Sequence, residues 1–355
     1  MERLSHLPSI PDSWNALTWK QLCDVWHILL DMPQNASDEM KALSLYQYFT
    51  GAQIAKVDES ATPDGSKDAY LLTIGGKSGL VRVGELHAYL LGVHINDSQI
   101  TYDVVGVMEW LPHPNTLTQL PIEHINIGHR KYRVPAPMIT SLTYQQYGNM
   151  QKILHAYWDV AKDIRQLYEQ SDGIMELMQG GLLHSSMVED KKHEYENILK
   201  RIVTQSEVLN KLQCQFLAHA LVNRSFRISS MKSGGTNLFF GWSYDYSVEL
   251  AEKNIDNMRK APIEVFYILQ QYLQSCLEWY RQQMPDLFSE SSKVDIRNPL
   301  MSEIDTVNAI MKWKGAYGTQ QEVYDTNAIF IFGDLKDMAK EAREIEKVNS
   351  RIKHK

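Results

Sequence analysis

The stretch from Thr140 to Arg165 constrains this chain most, because it joins a complete helix start to an apolar stripe at helical spacing. Thr143 stands where an N-cap hydroxyl can accept from the Gln146 amide, and the Gln146 side chain can reach back to Thr143. Leu142 and Tyr147 are placed as a hydrophobic staple around that box. Met150, Ile153, Leu154, Tyr157, Trp158, Ala161 and Ile164 follow, so the spacing predicts a helix to about Gln170. The same start occurs 125 residues earlier as Leu17-Thr18-Trp19-Lys20-Gln21-Leu22, followed by Val25, Trp26, Ile28 and Leu29. A distant duplication and independent selection of one local start signal both account for the pair.

The rest of the chain is arranged around these helices. Pro33 ends the first, and a second is expected from about Ser37 to Gly51, which is placed as its C-cap. After a polar, turn-rich stretch over 56–68, the period changes to that of strands. Tyr70–Ile74, a Gly-rich turn and Leu80–Val83 read as a β-hairpin, with a short helix over Glu85–Leu91. Pro112, Pro114, Pro121, Pro135 and Pro137 mark an ordered connector, within which His124–Ile127, Gly128-His129 and Arg130–Val134 form a second hairpin. Helices are expected at 186–221, 246–260 and 262–283, with residues 223–242 irregular between them. Thr319 with Glu322 repeats the capping signal, and a charged helix runs from Asp334 to the end. The reading is a mainly α-helical, α+β protein with one or two small β-hairpins. Its units are an N-terminal helix-plus-hairpin unit over 1–115 and a larger helical unit over 116–355.

Composition removes several function classes. With 36 basic against 43 acidic residues and a formal charge of −7, the chain lacks the concentrated Lys and Arg of a nucleic-acid binder. It has no run of 18 apolar residues to span a bilayer, and Met1–His6 carry no apolar signal-peptide core. Cys23, Cys214 and Cys276 are widely spaced among apolar residues and read as reduced, buried thiols of a cytoplasmic protein. Gly76-Lys77-Ser78 is not a phosphate loop, since Leu71 stands where that loop needs Gly. The 12 histidines include no pair at i, i+4 with a third ligand, and His193-Glu194 lacks the second His of a zinc motif, so no metal or cofactor is expected. No G-x-S-x-G turn is present, Cys214 and Cys276 fall inside helices, and Glu189-Asp190 and Glu341–Glu346 are interleaved with Lys and Arg. No catalytic residue is identified.

Two features remain as candidate partner contacts. Phe239, Phe240 and Trp242 form an aromatic, Gly-flanked cluster without helical period, suited to a core plug or an interface anchor. In the last helix Leu335, Met338, Ala342, Ile345 and Ile352 approximate an a/d seam that leads into a basic end, Lys347, Arg351, Lys353 and Lys355. That seam either packs on its own domain or docks to a partner.

Several short signatures together resemble tail-module proteins of Bacteroidetes tailed phages and prophages. They begin with Leu7-Pro8, Trp14-Asn15-x-Leu17-Thr18-x-x-Gln21, and Tyr132-x-Val134-Pro135 leading to Leu142-Thr143-Tyr144-x-Gln146-Tyr147. Tyr244-Asp245-Tyr246 with Ala251-Glu252-Lys253, Pro262, Cys276 ahead of Met284–Phe288, and Gly315–Gly318 before Thr319 complete the set. The resemblance implies a non-enzymatic role in tail building: an assembly chaperone for the tube or tape-measure protein, or a minor virion component. Its partners would be other tail proteins, its place the bacterial host cytoplasm or the virion, and homo-oligomerisation stays open. The alternative is a cytoplasmic enzyme whose site is assembled from distant residues near the 124–133 hairpin and the 234–246 loop.

Overall fold

The computed structural model describes residues 11–33, 36, 38–51, 53–56, 69–74, 77–82, 116–179, 185–223, 225–230, 238–285, 299–313 and 317–353. In chain order the elements are α1 (Trp19–Asp31), α2 (Asp38–Thr50), β1 (Gln53–Lys56), β2 (Ala69–Ile74), β3 (Lys77–Arg82), β4 (His124–Ile127) and β5 (Arg130–Arg133). Then come α3 (Tyr144–Gln179), α4 (Ser185–Ala220), β6 (Val222–Asn223), β7 (Ser225–Ser230), β8 (Leu238–Ser243) and α5 (Val248–Met258). The chain continues through α6 (Ile263–Gln283), α7 (Pro299–Lys312), α8 (Gln320–Asp325) and α9 (Ala328–Lys353). The fold is mainly α, with small antiparallel sheets of order β1-β2-β3, β4-β5-β6 and β7-β8 among the described residues. The predicted 85–91 helix lies outside those residues.

Two compact units result: Met1–Ile122 with Ile263–Gln283, and Glu123–Pro262 with Met284–Lys355. In the first, Thr18 caps α1 in a full box, its hydroxyl accepting from Gln21 N and the Gln21 side chain accepting from Thr18 N. Leu17, Leu22 and Val25 are buried beneath it. The surprise is α6, which joins α1 although far away in sequence. Trp26 stacks on Tyr267 with ring centroids 5.2 Å apart and donates through Nε1 to Gln271 Oε1 at 2.9 Å. Gly51, in the left-handed region at φ +66°, closes α2 where a side chain would be strained.

The second unit is organised by α3 and α4, each of 36 residues. Gln146 meets His219, Tyr157 meets Gln213, and Leu167 and Ile174 pack with Ile198 and Ile202, so the two helices run antiparallel. The β4–β5 hairpin turns at Gly128 (φ +59°), and a Cβ there would lie 3.2 Å from Lys260 Cδ and 3.3 Å from Asn257 Oδ1. Asn257 Nδ2 donates to Ile127 O and Tyr132 Oη, and Asn254 Oδ1 accepts from Arg130 Nη1, which ties this hairpin to α5. Immediately before α3, Met138 and Ile139 both hold positive φ, a strained state kept in place by the burial of Ile139.

Four sequence expectations need correction. Residues 223–242 are not irregular: β7 and β8 form an antiparallel hairpin in register from Ser225↔Ser243 to Ser230↔Leu238. Phe226 and Ile228 alternate with polar residues ahead of Gly234-Gly235, a strand period that the aromatic cluster obscured. Helix α3 runs past Gln170, through Gly173, to Gln179, because Ser171 and Ile174 are buried beside α4 and packing outweighs the propensity cost of Gly. Of the three thiols only Cys276 is buried, Cys23 and Cys214 being half-buried at helix edges. The Thr143 box has one arm. Its hydroxyl accepts from Gln146 N at 3.1 Å, but the Gln146 side chain turns inward and donates to the His219 carbonyl at 2.8 Å.

Gln146 is 1% exposed, so its removal leaves that carbonyl buried and unsatisfied. Chemical denaturation should therefore show Thr143→Ala costing about 1 kcal/mol and Gln146→Leu costing about 1–3 kcal/mol. A smaller loss for Gln146→Leu would contradict the role assigned to its amide.

Candidate functional site

The ends of several second-unit elements converge on one cavity of about 340 Å³. Arg133 closes β5, with Val134 and Pro135 after it; Ser141, Leu142, Thr143 and Gln146 come from the start of α3. Ala220 ends α4, Val222 begins β6, Tyr244-Asp245-Tyr246 follow β8, and Asp325 ends α8. A backbone clasp holds this rim: Tyr144 N donates to Thr326 O at 2.8 Å and Ala328 N donates to Leu142 O at 2.9 Å. Asn327 adds an amide donation to Thr140 O.

Electrostatically the site divides into a charged mouth and a neutral floor. At the mouth the Arg133 guanidinium lies 6.0 Å from the Tyr244 ring centroid, within cation–π range, and makes no ion pair among the described residues. The Tyr244 ring also packs against His124 at 5.2 Å, while Asp245 and Asp325 are exposed. On the inner side buried His219 meets half-buried Tyr246, Nδ1 to Oη 2.6 Å, and Asn149 Nδ2 donates to the same phenol oxygen at 2.9 Å. The phenol oxygen thus joins Asn149 and the imidazole in one hydrogen-bonded chain. Burial pushes His219 down from 6.5 to about 4 and pushes Tyr246 up to about 12, the Asn149 bond opposing the latter. Both groups are therefore neutral at physiological pH.

The hydroxyls near the cavity serve the fold first. Ser141 Oγ accepts from Ala136 N at 2.9 Å and Thr143 Oγ1 accepts from Gln146 N. Among the described residues neither is paired with a base. The half-buried Cys23 thiol of the first unit is pushed up to about 11, chiefly by burial and then by Glu264 and Asp24, which keeps it protonated. Among the described residues no three His, Cys, Asp or Glu side chains group to hold a metal ion, and no helix is long and apolar enough to cross a membrane.

The 124–133 hairpin and the 234–246 segment named for the enzyme alternative do meet here, through Arg133 and Tyr244–Tyr246. The predicted partner contacts lie elsewhere. Leu335 and Met338 are half-buried on α9, Ala342 and Ile345 are exposed on it, and none of these four lines the cavity. Ile352 belongs to the same helix, and Phe239, Phe240 and Trp242 to β8; the side chains of these four are outside the described set. Nothing local marks Gln146, His219 and Asn149 as site residues, because each sits at helical spacing and its partner is distant in sequence; exposed Asp325, bonded to Gln321 within its own helix, borders the cavity only through the placement of α8. No protein-family model, curated protein or solved structure matches this chain.

Neutral His219 is the form the fold favours. Its contribution to stability is complete above the ordinary imidazole value of 6.5 and is lost as pH falls toward about 4. Urea titrations at pH 7 and pH 5 should show this group removing about 2 kcal/mol at the lower pH. In His219→Asn that component should vanish; an unchanged pH dependence would show that the imidazole is not the titrating group.

Proposed function

We propose that this protein is a tail-assembly or minor structural protein of a tailed phage or prophage, acting through protein–protein contacts in the host cytoplasm or the virion. The short signatures described above support this reading, and one observation carries it: the apolar seam of α9 leaves the core part-way along the helix. Its first turns are docked, with Ala328, Ile331 and Phe332 buried and Tyr147 edge-on to Phe332 at 5.1 Å. The docking extends through Tyr317 Oη donating to Asp334 at 2.7 Å and Trp313 Nε1 donating to Glu341 at 2.9 Å. Among the described residues beyond Glu341, the apolar Ile345 and Val348 are both 55% exposed. An apolar stripe that outruns its own core is what a helix-in-groove partner reads. The partner class this favours is tail-tube or tape-measure protein.

A second reading, an enzyme or small-ligand binder, is favoured by the convergence of Arg133, Tyr244 and Tyr246 on one cavity, with His219 behind Tyr246. The two separate cleanly. Ile345→Asp and Val348→Asp should leave the unfolding free energy nearly unchanged, within about 0.5 kcal/mol, yet abolish co-purification with the co-expressed tube or tape-measure protein. Retained complexes would remove α9 from the contact. Loss of a ligand-induced melting shift in Arg133→Ala, with no tail-protein complex for the native chain, would move the assignment to the cavity.

A further inference from the structure

The α3–α4 hairpin carries a second apolar surface, independent of α9. Between the two helices its buried core is thin: Leu167, Ile174, Ile198 and Ile202, with Met178 and Tyr195 packed against them. Each helix advances about 100° per residue. On α3, Ile164, Tyr168 and Met175 fall together, about 60–100° round from the Leu167–Ile174 line. On α4, Tyr195, Leu199 and Val203 lie about 60–140° round from Ile198 in the same sense. Because the helices are antiparallel with their buried lines facing, rotation in one sense leads to one side of the hairpin. These six apolar residues therefore share a face, on which Tyr168 is 50% and Val203 60% exposed. The opposite side presents Asp159, Asp163, Gln166 and Gln170 with Glu194, Asn197, Arg201 and Thr204, interrupted by Leu177, Val208 and Leu212.

We infer that this face pairs with the same face of a second copy, closing a four-helix bundle. The dimensions favour that occupant. From Ala161 to Gln179 the helix extends about 28 Å, and two helices side by side are about 20 Å wide. Face-to-face contact then covers on the order of 550 Å² per copy, ~1,100 Å² for the pair, which passes the roughly 1,000 Å² of a specific interface. It also supplies the second layer that a two-helix hairpin lacks, since a helix stripe is stable only when buried against another element. A self-complementary patch closes by two-fold symmetry and leaves α9 to the partner described above.

Sedimentation velocity of the full chain at tens of micromolar tests this. The native protein should sediment as a dimer. Tyr168→Asp and Val203→Asp should each raise the dissociation constant at least about 100-fold with helical circular dichroism retained, whereas Leu177→Asp, on the opposite face, should leave the dimer intact. Should the aspartate variants fail to fold, cross-linking of mixed ¹⁴N- and ¹⁵N-labelled native protein decides instead. Links between copies among Lys162, Lys192 and Lys200 support the bundle. A native monomer, inter-copy links confined to other surfaces, or equal weakening by Leu177→Asp would overturn it.

Discussion

The hydrogen bond from the Gln146 amide to the His219 carbonyl, 2.8 Å long and fully buried, is the contact on which the second unit turns. One partner belongs to the first turn of α3 and the other to the last turn of α4. The bond satisfies a helix-terminal carbonyl that would otherwise be an orphan in the interior. It also sets the register of the antiparallel pair at its base, from which the Tyr157–Gln213 contact and the Leu167–Ile202 layer follow. Because the same turn of α4 holds His219 against Tyr246, the pairing of the long helices also positions the floor of the cavity.

The two ends of that helix pair differ in physical character. At the base, β5, α8 and the segment after β8 converge, polar groups are satisfied by protein, and burial holds His219 and Tyr246 neutral. Farther along, two helices share a narrow apolar seam and expose large apolar side chains beside it. The base holds the cavity, and the exposed apolar residues lie on α3, α4 and α9.

Local signals were readable where they depend on neighbours in sequence. The Thr18–Gln21 and Thr319–Glu322 boxes form with both arms, Gly51 caps α2, and Gly128 turns the β4–β5 hairpin, because each is satisfied within a few residues. The Thr143–Gln146 pattern is the same in sequence and differs in space. Its glutamine is interior, and an interior amide is claimed by the strongest buried acceptor rather than by the nearest backbone N–H. The strands β7 and β8 were hidden for another reason, since their aromatic content competed with the period-2 signal.

What the sequence alone determined is the mainly α class, most helix boundaries, the two early hairpins and the apolar seam of the last helix, all consequences of periodicity and capping that act over one or two turns. Tertiary structure decided that α6 packs with α1 in the first unit, that Gln146 serves α4 instead of its own cap, and that Arg133, Tyr244 and Asp325 border one cavity. It also decided which half of the α9 seam is covered. Those outcomes rest on partners tens to hundreds of residues apart, and burial, which fixes the hydrogen bonds and protonation of such groups, is a property of the packed chain rather than of any local stretch.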